Sequence, residues 1–223
     1  MRHLIPRRGP DIVIALGASV GGTDAIRHFL SALPADSPAV LVVQHMPKPF
    51  TRAFAARLDG VCRIAVQEAQ DGDAVLAGRA LIAPGNHHMR LALEGGLHAV
   101  RLGSDAPVRR HRPSVDVLFD SCARVAGARA IGIIMTGMGD DGAEGLLAMR
   151  RAGARTLAQD EATSVVFGMA KVAISLDAAE LVLPLGRLAE TAMRLARRDT
   201  PHRPDRQPGL AARTRNDGDR VAG

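Results

Sequence analysis

The stretch DIVIALGASVGG, residues 11–22, decides how the rest of the chain is arranged. Residues 12–16 form a continuous apolar run, which is typical of a strand buried on both faces. The run leads into GASVGG and then into an amphipathic segment over residues 24–33, which predicts a helix. The turn contains Ser19 and fits the G-x-S-x-G pattern, in which a sharp strand-to-helix bend exposes a serine hydroxyl. The same turn could instead bind an anion at the helix N-terminus or use Ser19 only as a helix cap, and the stretch alone leaves these alternatives open.

The composition predicts an aliphatic globular domain without a nucleic-acid partner. The 223 residues suffice for one domain, or one domain plus a tail, and include no Trp, no Tyr and only five Phe. The net charge of +6 comes from the ends, because residues 1–10 and 197–223 each carry an excess of three basic residues. Residues 11–196 hold 19 basic and 19 acidic side chains and are neutral as a whole. Since the basic ends lack aromatic side chains on which bases could stack, we predict no nucleic-acid binding.

The cysteines and histidines give no sign of a metal centre. Cys62 and Cys122 are far apart and have no metal-ligand spacing, which favours a reduced, cytoplasmic protein. We interpret the adjacent pair His87-His88 as ordinary loop polarity, and we predict neither a metal nor a cofactor. The N-terminal residues are too short and too polar for a signal peptide, and no apolar run approaches the ~20 residues of a membrane span. We therefore expect no membrane insertion.

Strands that alternate with helices predict the fold class. The predicted strands cover residues 12–16, 39–43, 63–66, 79–83, 130–135, 155–158 and 181–183. The predicted helices cover residues 24–33, 49–58, 115–126, 143–152, 164–173 and 187–197. This alternation predicts an α/β fold, with a doubly wound, mostly parallel sheet and helices on both faces. Two alternating apolar stretches around Gly95-Gly96 predict an antiparallel β-hairpin at the edge of the sheet.

The same pattern divides the chain into three segments. We expect an N-terminal extension over residues 1–10 and a single folded domain over residues 11–197. Residues 198–223 are rich in Arg, Pro and Asp and have no apolar periodicity, so they are expected to form a disordered tail.

Three kinds of reactive side chain follow directly after buried strands. Ser19, His45 and the pair Asp140-Asp141 each come at the carboxyl end of a predicted strand. Because ligands bind at the carboxyl ends of parallel strands, we expect these residues to meet at one edge of the sheet. A nucleophilic serine needs an imidazole base and a carboxylate that orients the base. His45 is the favoured base and His111 is the rival, while the order Ser, His, Asp argues against the α/β-hydrolase fold.

Six motifs, spread over nearly all of residues 11–196, resemble one known family. They are GASVGG at 17–22, VVQHMP at 42–47, IAPGNHHM at 82–89, HRPSVDVLF at 111–119, TGMGDDGAEGL at 136–146 and AQDEATSVVFGM at 158–169. The chain resembles the catalytic domain of the chemotaxis receptor protein-glutamate methylesterases, the CheB type, and the motifs stand in that family's order. On this resemblance, residues 11–197 are expected to form a methylesterase catalytic domain.

The resemblance implies a reaction and the residues that perform it. It makes Ser19 the nucleophile, His45 the base and Asp141 the orienting acid, with backbone N–H groups near Val20 and Met138 holding the oxyanion. Family members hydrolyse γ-glutamyl methyl esters on the cytoplasmic helices of methyl-accepting chemotaxis receptors and deamidate particular receptor glutamines. Two other classes stay open: a serine esterase or amidase with a different substrate, and a non-catalytic anion-binding module.

A basic loop is expected to meet the substrate. Arg109, Arg110 and His111 lie between the hairpin and the helix over residues 115–126. Because receptor methylation helices are rich in Glu and Gln, a basic rim in an otherwise neutral domain is expected to attract them. We therefore predict that these three residues form a substrate rim.

The sequence departs from the family at two places. Val20 stands where the family often has Thr, so a side-chain hydroxyl near the oxyanion is missing while the backbone N–H is kept. Family enzymes usually carry an N-terminal phosphorylatable receiver domain, whereas ten residues precede the domain here. We expect either a stand-alone esterase or a chain whose front was removed, and the resemblance does not identify a regulator.

Overall fold

The computed structural model describes residues 12–198, so the predicted N-terminal extension and, apart from Arg198, the predicted tail lie outside the described residues. The strands in this range are β1 (Val13–Ala18), β2 (Ala39–Gln44), β3 (Ala65–Glu68), β4 (Arg79–Ile82), β5 (His88–Glu94), β6 (Leu97–Gly103), β7 (Ala130–Ile134), β8 (Arg155–Gln159) and β9 (Leu181–Leu183). The helices are α1 (Gly22–Ser31), α2 (Lys48–Asp59), α3 (Val115–Val125), α4 (Ala143–Arg151), α5 (Met169–Ser175) and α6 (Leu185–Arg198), and a 3₁₀ turn covers Gly127–Arg129.

Seven of the strands form one sheet in the order β3-β4-β2-β1-β7-β8-β9. Every pairing in this sheet is parallel, and at its centre Leu16 of β1 lies between Val42 of β2 and Ile133 of β7. The chain builds the β2 side first and then returns to the other side of β1. Such a reversal of strand order is where open α/β sheets bind ligands, and Ser19 directly follows β1 there.

Helices cover both faces of the sheet, which confirms the predicted fold class. Along β1, Val13 and Ala15 belong to one buried cluster while Ile14 and Leu16 belong to the other, as the alternation of a strand requires. The first cluster packs α3, α4 and α5 on the sheet, and the second packs α1, α2 and α6 on it. Among the helices of residues 12–198, none combines the length and apolarity needed to cross a membrane.

The hairpin of β5 and β6 forms a separate two-stranded sheet. The sequence had suggested instead that it extends the edge of the large sheet. The reason is that its inward face packs on α3. Met89, Leu91 and Val100 share a buried cluster with Phe119, and Leu91 N–H donates to Ser121 Oγ over 2.8 Å. These contacts hold the hairpin against α3.

Helix α5 begins at Met169, five residues later than the predicted start at Ser164. Tertiary hydrogen bonds hold the intervening residues in a loop. Val166 N–H donates to Thr136 Oγ1 over 3.0 Å, and Gly137 N–H donates to the Val166 carbonyl over 3.0 Å. The loop therefore lies beside the segment after β7. These tertiary hydrogen bonds override the apolar pattern that predicted a helix from Ser164.

Replacing His98 with Leu is expected to raise the free energy of unfolding. His98 is buried in β6, and neither ring nitrogen has a hydrogen-bond partner within residues 12–198. Burial, and then the charge of Arg129, lower the pKa of His98, so its neutral form is favoured in the folded protein. An unpaired buried polar group costs roughly 1–3 kcal/mol, so the variant should be more stable by about 1 kcal/mol at pH 7.

The advantage of the variant should grow as the pH falls. The unfolded chain binds a proton at the ordinary histidine pKa of about 6.5, whereas folded His98 resists protonation, so wild-type stability is lost below that value. Denaturant titrations at pH 7 and pH 5 measure the difference. His28→Leu, at an exposed position on α1, is the matched control. An equal gain from His98→Leu at both pH values would contradict this account.

Candidate active site

Ser19 lies at the turn between β1 and α1, half-buried at the carboxyl edge of the sheet. Its backbone is fixed on two sides, because Ser19 N–H donates to the Thr136 carbonyl over 3.0 Å and Gly22 N–H donates to the Ser19 carbonyl over 2.8 Å. Gly21 has a φ of 77°, a left-handed conformation that side chains other than glycine rarely adopt. The predicted strand, turn and helix are therefore present, with the serine side chain at a cleft.

Gly17 allows a second helix to approach this turn. A Cβ atom at Gly17 would lie 2.2 Å from Val115 Cγ1, so only glycine leaves room for the first residue of α3. The close approach brings the N-terminus of α3 against the end of β1. This helix terminus holds the acidic partner of the site.

His45 follows β2 and forms a buried pair with Asp141. His45 Nε2 lies 2.7 Å from Asp141 Oδ2, and the two side chains are 7% and 1% exposed. Because a carboxylate accepts, Nε2 is the donor, and in the neutral ring Nδ1 carries the lone pair. Nδ1 is buried and has no hydrogen-bond partner within residues 12–198. The imidazole is therefore oriented through Nε2 and has Nδ1 available as a base.

The structure joins His45 to the serine turn through the backbone. His45 N–H donates to the carbonyl of Ala18, the residue before Ser19, over 3.1 Å. No hydrogen bond links the Ser19 hydroxyl to His45 within the described part of the chain. Serine–histidine hydrogen bonds are often long in enzymes without substrate, so this geometry is compatible with a nucleophile and its base.

Asp141 is held by the N-terminus of α3. Its Oδ2 also accepts from Val115 N–H over 2.7 Å, and its Oδ1 accepts from Ser114 Oγ over 2.7 Å and from Asp116 N–H over 3.1 Å. Burial alone raises the pKa of Asp141, but the hydrogen bonds from His45, Ser114 and Val115 outweigh it, so the pKa lies below its ordinary value. Asp141 is thus a carboxylate held ionised at a helix N-terminus.

Two residues that support Asp141 were not assigned to the site by sequence reasoning. Ser114 caps α3, because its Oγ accepts from Val117 N–H, and the same oxygen donates to Asp141. His88 is fully buried, accepts from Ser114 N–H at Nδ1 and donates from Nε2 to the Ala106 carbonyl. Burial lowers the pKa of His88 and favours the neutral ring that this pattern requires. No local pattern distinguishes such a histidine from an exposed loop residue.

Asp140 and Arg109 form an ion pair at the rim of the cleft. Arg109 Nη1 contacts Asp140, and Arg109 Nε donates to the buried Asp116 Oδ2 over 2.7 Å. Arg109 therefore has two carboxylate partners while it also lines the cleft, and its role in a substrate rim stays a prediction. Arg110 is exposed and has no ion pair within residues 12–198, so it remains available to an approaching anion.

An open cleft of about 680 Å³ brings most of the predicted site residues together. It is lined by Ser19, Val20, Arg109, Arg110, His111, Met138, Gly139 and Asp140. The backbone N–H groups of Val20 and Met138 donate no hydrogen bond within residues 12–198, so both can serve an oxygen in the cleft. Within the same range, no group of three or more His, Cys, Asp or Glu side chains is arranged to bind a metal ion.

A doubly wound α/β domain with a serine turn and a histidine–carboxylate pair at one sheet edge has the layout of a serine hydrolase. This chain belongs to the CheB methylesterase family, whose family model matches residues 14–192. It is 60% identical over 191 residues to the protein-glutamate methylesterase/protein-glutamine glutaminase 2 of Rhodospirillum rubrum, covering 86% of this chain and 53% of that protein.

Two further comparisons agree with this family. The protein-glutamate methylesterase/protein-glutamine glutaminase 1 of Anaeromyxobacter dehalogenans is 59% identical over 195 residues, which is 87% of this chain and 56% of that protein. The crystal structure of the Thermotoga maritima CheB methylesterase catalytic domain is similar with a TM-score of 0.81 at 35% identity, covering 85% of this chain and all of that one. The chain spans about half the length of the curated relatives it matches.

Proposed function

We propose that the chain is a serine hydrolase that removes methyl esters from glutamyl side chains of chemotaxis receptors and deamidates receptor glutamines. The observation that carries this proposal is the buried His45–Asp141 pair beside the Ser19 turn, with Nδ1 of His45 unpaired within residues 12–198. Membership of the CheB methylesterase family and 60% identity to a protein-glutamate methylesterase/protein-glutamine glutaminase support the choice of substrate.

In the first step, Ser19 Oγ attacks the side-chain carbonyl carbon of the substrate. His45 takes the serine proton at Nδ1, and Asp141, hydrogen-bonded to Nε2, stabilises the imidazolium that forms. The substrate oxygen becomes an oxyanion, which accepts hydrogen bonds from the N–H groups of Val20 and Met138. Because Val20 has no hydroxyl, this oxyanion site uses backbone donors.

In the second step, the tetrahedral intermediate collapses. The bond from carbon to the leaving oxygen or nitrogen breaks while the His45 imidazolium gives it a proton, releasing methanol or ammonia and leaving an acyl-Ser19 ester. Water then attacks the ester, His45 accepts a proton from the water, and that proton returns to Ser19 as glutamate leaves. One mechanism therefore serves both demethylation and deamidation.

The substrate also suggests where the enzyme works. The proposed substrate is a methylated receptor segment on the cytoplasmic side of the membrane. Cys62 and Cys122 are both free thiols, half-buried and buried respectively, which is typical of a reducing compartment. We therefore propose a cytoplasmic enzyme with a chemotaxis receptor as its partner.

Release of methanol from a methylated chemoreceptor, measured with the purified chain, tests the proposed function. Formation of glutamate from receptor glutamines, followed by mass spectrometry, tests the deamidation. Hydrolysis of small esters without methanol release from receptor would instead indicate a serine esterase with another substrate.

Arg110→Glu should lower kcat/KM on receptor roughly tenfold, or about 1.4 kcal/mol, because an acidic helix would be repelled from the cleft. Hydrolysis of a small neutral ester should barely change, since Ser19, His45 and Asp141 are untouched. Arg110 is chosen over Arg109 because reversing Arg109 would leave Asp116 and Asp140 without their shared partner. The measurement is kcat/KM on receptor and on the small ester at increasing salt concentration.

The matched control is Arg151→Glu, which makes the same charge change at the exposed far end of α4. Wild-type activity on receptor should fall as salt rises, and Arg110→Glu should flatten that dependence. Equal losses on receptor and small ester would mean that Arg110 supports the site and does not attract the substrate.

A further inference from the structure

The ring of His111 lies flat against the ring of His45. The two centroids are 3.6 Å apart and the planes differ by 8°. The hydrogen bond from Nε2 to Asp141 fixes one corner of the His45 imidazole, but a ring held at one corner can still tilt about that bond. A parallel ring at van der Waals distance removes this freedom. His111 therefore constrains the plane of the proposed base.

His111 is presented by a tight turn whose two central residues are both arginine. Val108 N–H donates to the His111 carbonyl over 3.1 Å, and His111 N–H donates to the Val108 carbonyl over 2.8 Å. Arg109 and Arg110 have φ values of 46° and 69°, in the left-handed region that usually favours Gly, Asn or Asp. Residues in this conformation are strained, and they persist where surrounding contacts hold them.

The contacts that hold this turn also hold the proposed acid. Arg109 Nε donates to Asp116 Oδ2 over 2.7 Å, and Asp116 Oδ1 accepts from Gly145 N–H over 2.7 Å. Asp116 belongs to the first turn of α3, whose N–H groups bind Asp141. The turn that carries His111 and the carboxylate that orients His45 are therefore fixed to one helix N-terminus.

We propose that His111 is a positioning residue, whose ring sets the plane of the His45 imidazole so that Nδ1 faces the Ser19 turn. This role rests on the proposed function, because it needs Ser19 and His45 to act as nucleophile and base. His111 is not itself the base in this arrangement, since the buried carboxylate of Asp141 pairs with His45.

The charge state of His111 is consistent with this role. Burial, and then the neighbouring His45, lower the pKa of His111, while Asp141 and Asp140 oppose the shift. A neutral His111 does not repel the imidazolium that forms on His45 during attack.

Two substitutions separate stacking from other roles. His111→Leu keeps a side chain of similar size but removes the flat ring. It should lower kcat for methanol release by roughly 10–100-fold with KM unchanged, because the base would be misaligned. His111→Phe restores a flat ring and should keep kcat within a few-fold of wild type. His87→Ala is the control, because this histidine ring contacts the Gly85 carbonyl and stacks on no other ring within residues 12–198.

The rate at which a fluorophosphonate labels Ser19 provides a second readout that needs no receptor. Labelling of His111→Leu should slow in parallel with kcat. If wild type labels but His111→Leu labels as fast, or if His111→Phe loses as much as His111→Leu, the positioning role is overturned while the proposed function stands. A wild type that neither labels nor releases methanol overturns both.

Discussion

Replacing Ser19 with Ala is expected to lower the turnover of methylated receptor by on the order of 10³-fold or more. The substitution removes the oxygen that forms the acyl-enzyme, and no other hydroxyl can take its place on the short turn between β1 and α1. The fold should survive, because Ser19 is held through its backbone N–H and carbonyl. Methanol release measures turnover, and a thermal melt measures the fold.

His45→Ala should produce a loss of similar size, and the double variant should lose little more than either single variant. Nucleophile and base act as one unit, so their effects do not add. Ser175→Ala, at an exposed serine of α5, is the matched control and should behave as wild type. A Ser19→Ala protein that keeps most of its activity would exclude the acyl-enzyme mechanism.

Asp141→Asn should lower turnover by on the order of 10³–10⁴-fold, because an amide cannot stabilise the imidazolium and can present N–H to the wrong His45 tautomer. It should also lower the free energy of unfolding by roughly 1–3 kcal/mol. Asp141 accepts from four donors, and an Asn side chain would turn its own N–H group towards one of them.

Asp140→Asn is the matched comparison, since the two carboxylates are adjacent in sequence. Asp140 is 52% exposed and pairs with Arg109, which keeps Asp116 as a second partner after the substitution. We therefore expect a mild effect on turnover. A large loss from Asp140→Asn with a small loss from Asp141→Asn would reassign the acid of the site.

The pH dependence of stability provides a second check on Asp141. Its pKa is lower in the folded protein, so its contribution is fully present above the ordinary aspartate pKa of about 3.9 and is lost as the pH falls through the folded value. As the pH is lowered, the free energy of unfolding should therefore fall less steeply for Asp141→Asn than for wild type. Equal slopes would contradict the lowered pKa.

The sequence is sufficient to predict the sheet and the edge where the site lies. The strands β1, β2 and β7 are buried on both faces, so they read as uninterrupted apolar runs. Ser19, His45 and Asp141 follow these three strands, and the parallel order brings their carboxyl ends together. Apolar runs and the residues directly after them are local properties, which is why they are visible in the sequence.

The partners of these residues depend on packing between distant segments and are not visible locally. Asp141 lies at the N-terminus of α3 because Gly17 makes room for Val115, across about a hundred residues of chain. Arg109 looks like a free cation in the sequence, but two carboxylates from other elements bind it. The late start of α5 and the separate hairpin have the same cause, which is competition from tertiary contacts.

The use of Nδ1 as the accepting nitrogen has a mechanical consequence for His45. Nδ1 is separated from Cβ by one ring atom and Nε2 by two, so Nδ1 lies between the backbone attachment of the side chain and the nitrogen that binds Asp141. Asp141 holds the ring at Nε2, and the hydrogen bond from His45 N–H to the Ala18 carbonyl holds the main chain at the end of β2. The proton-accepting atom thus lies between two fixed points of the same residue.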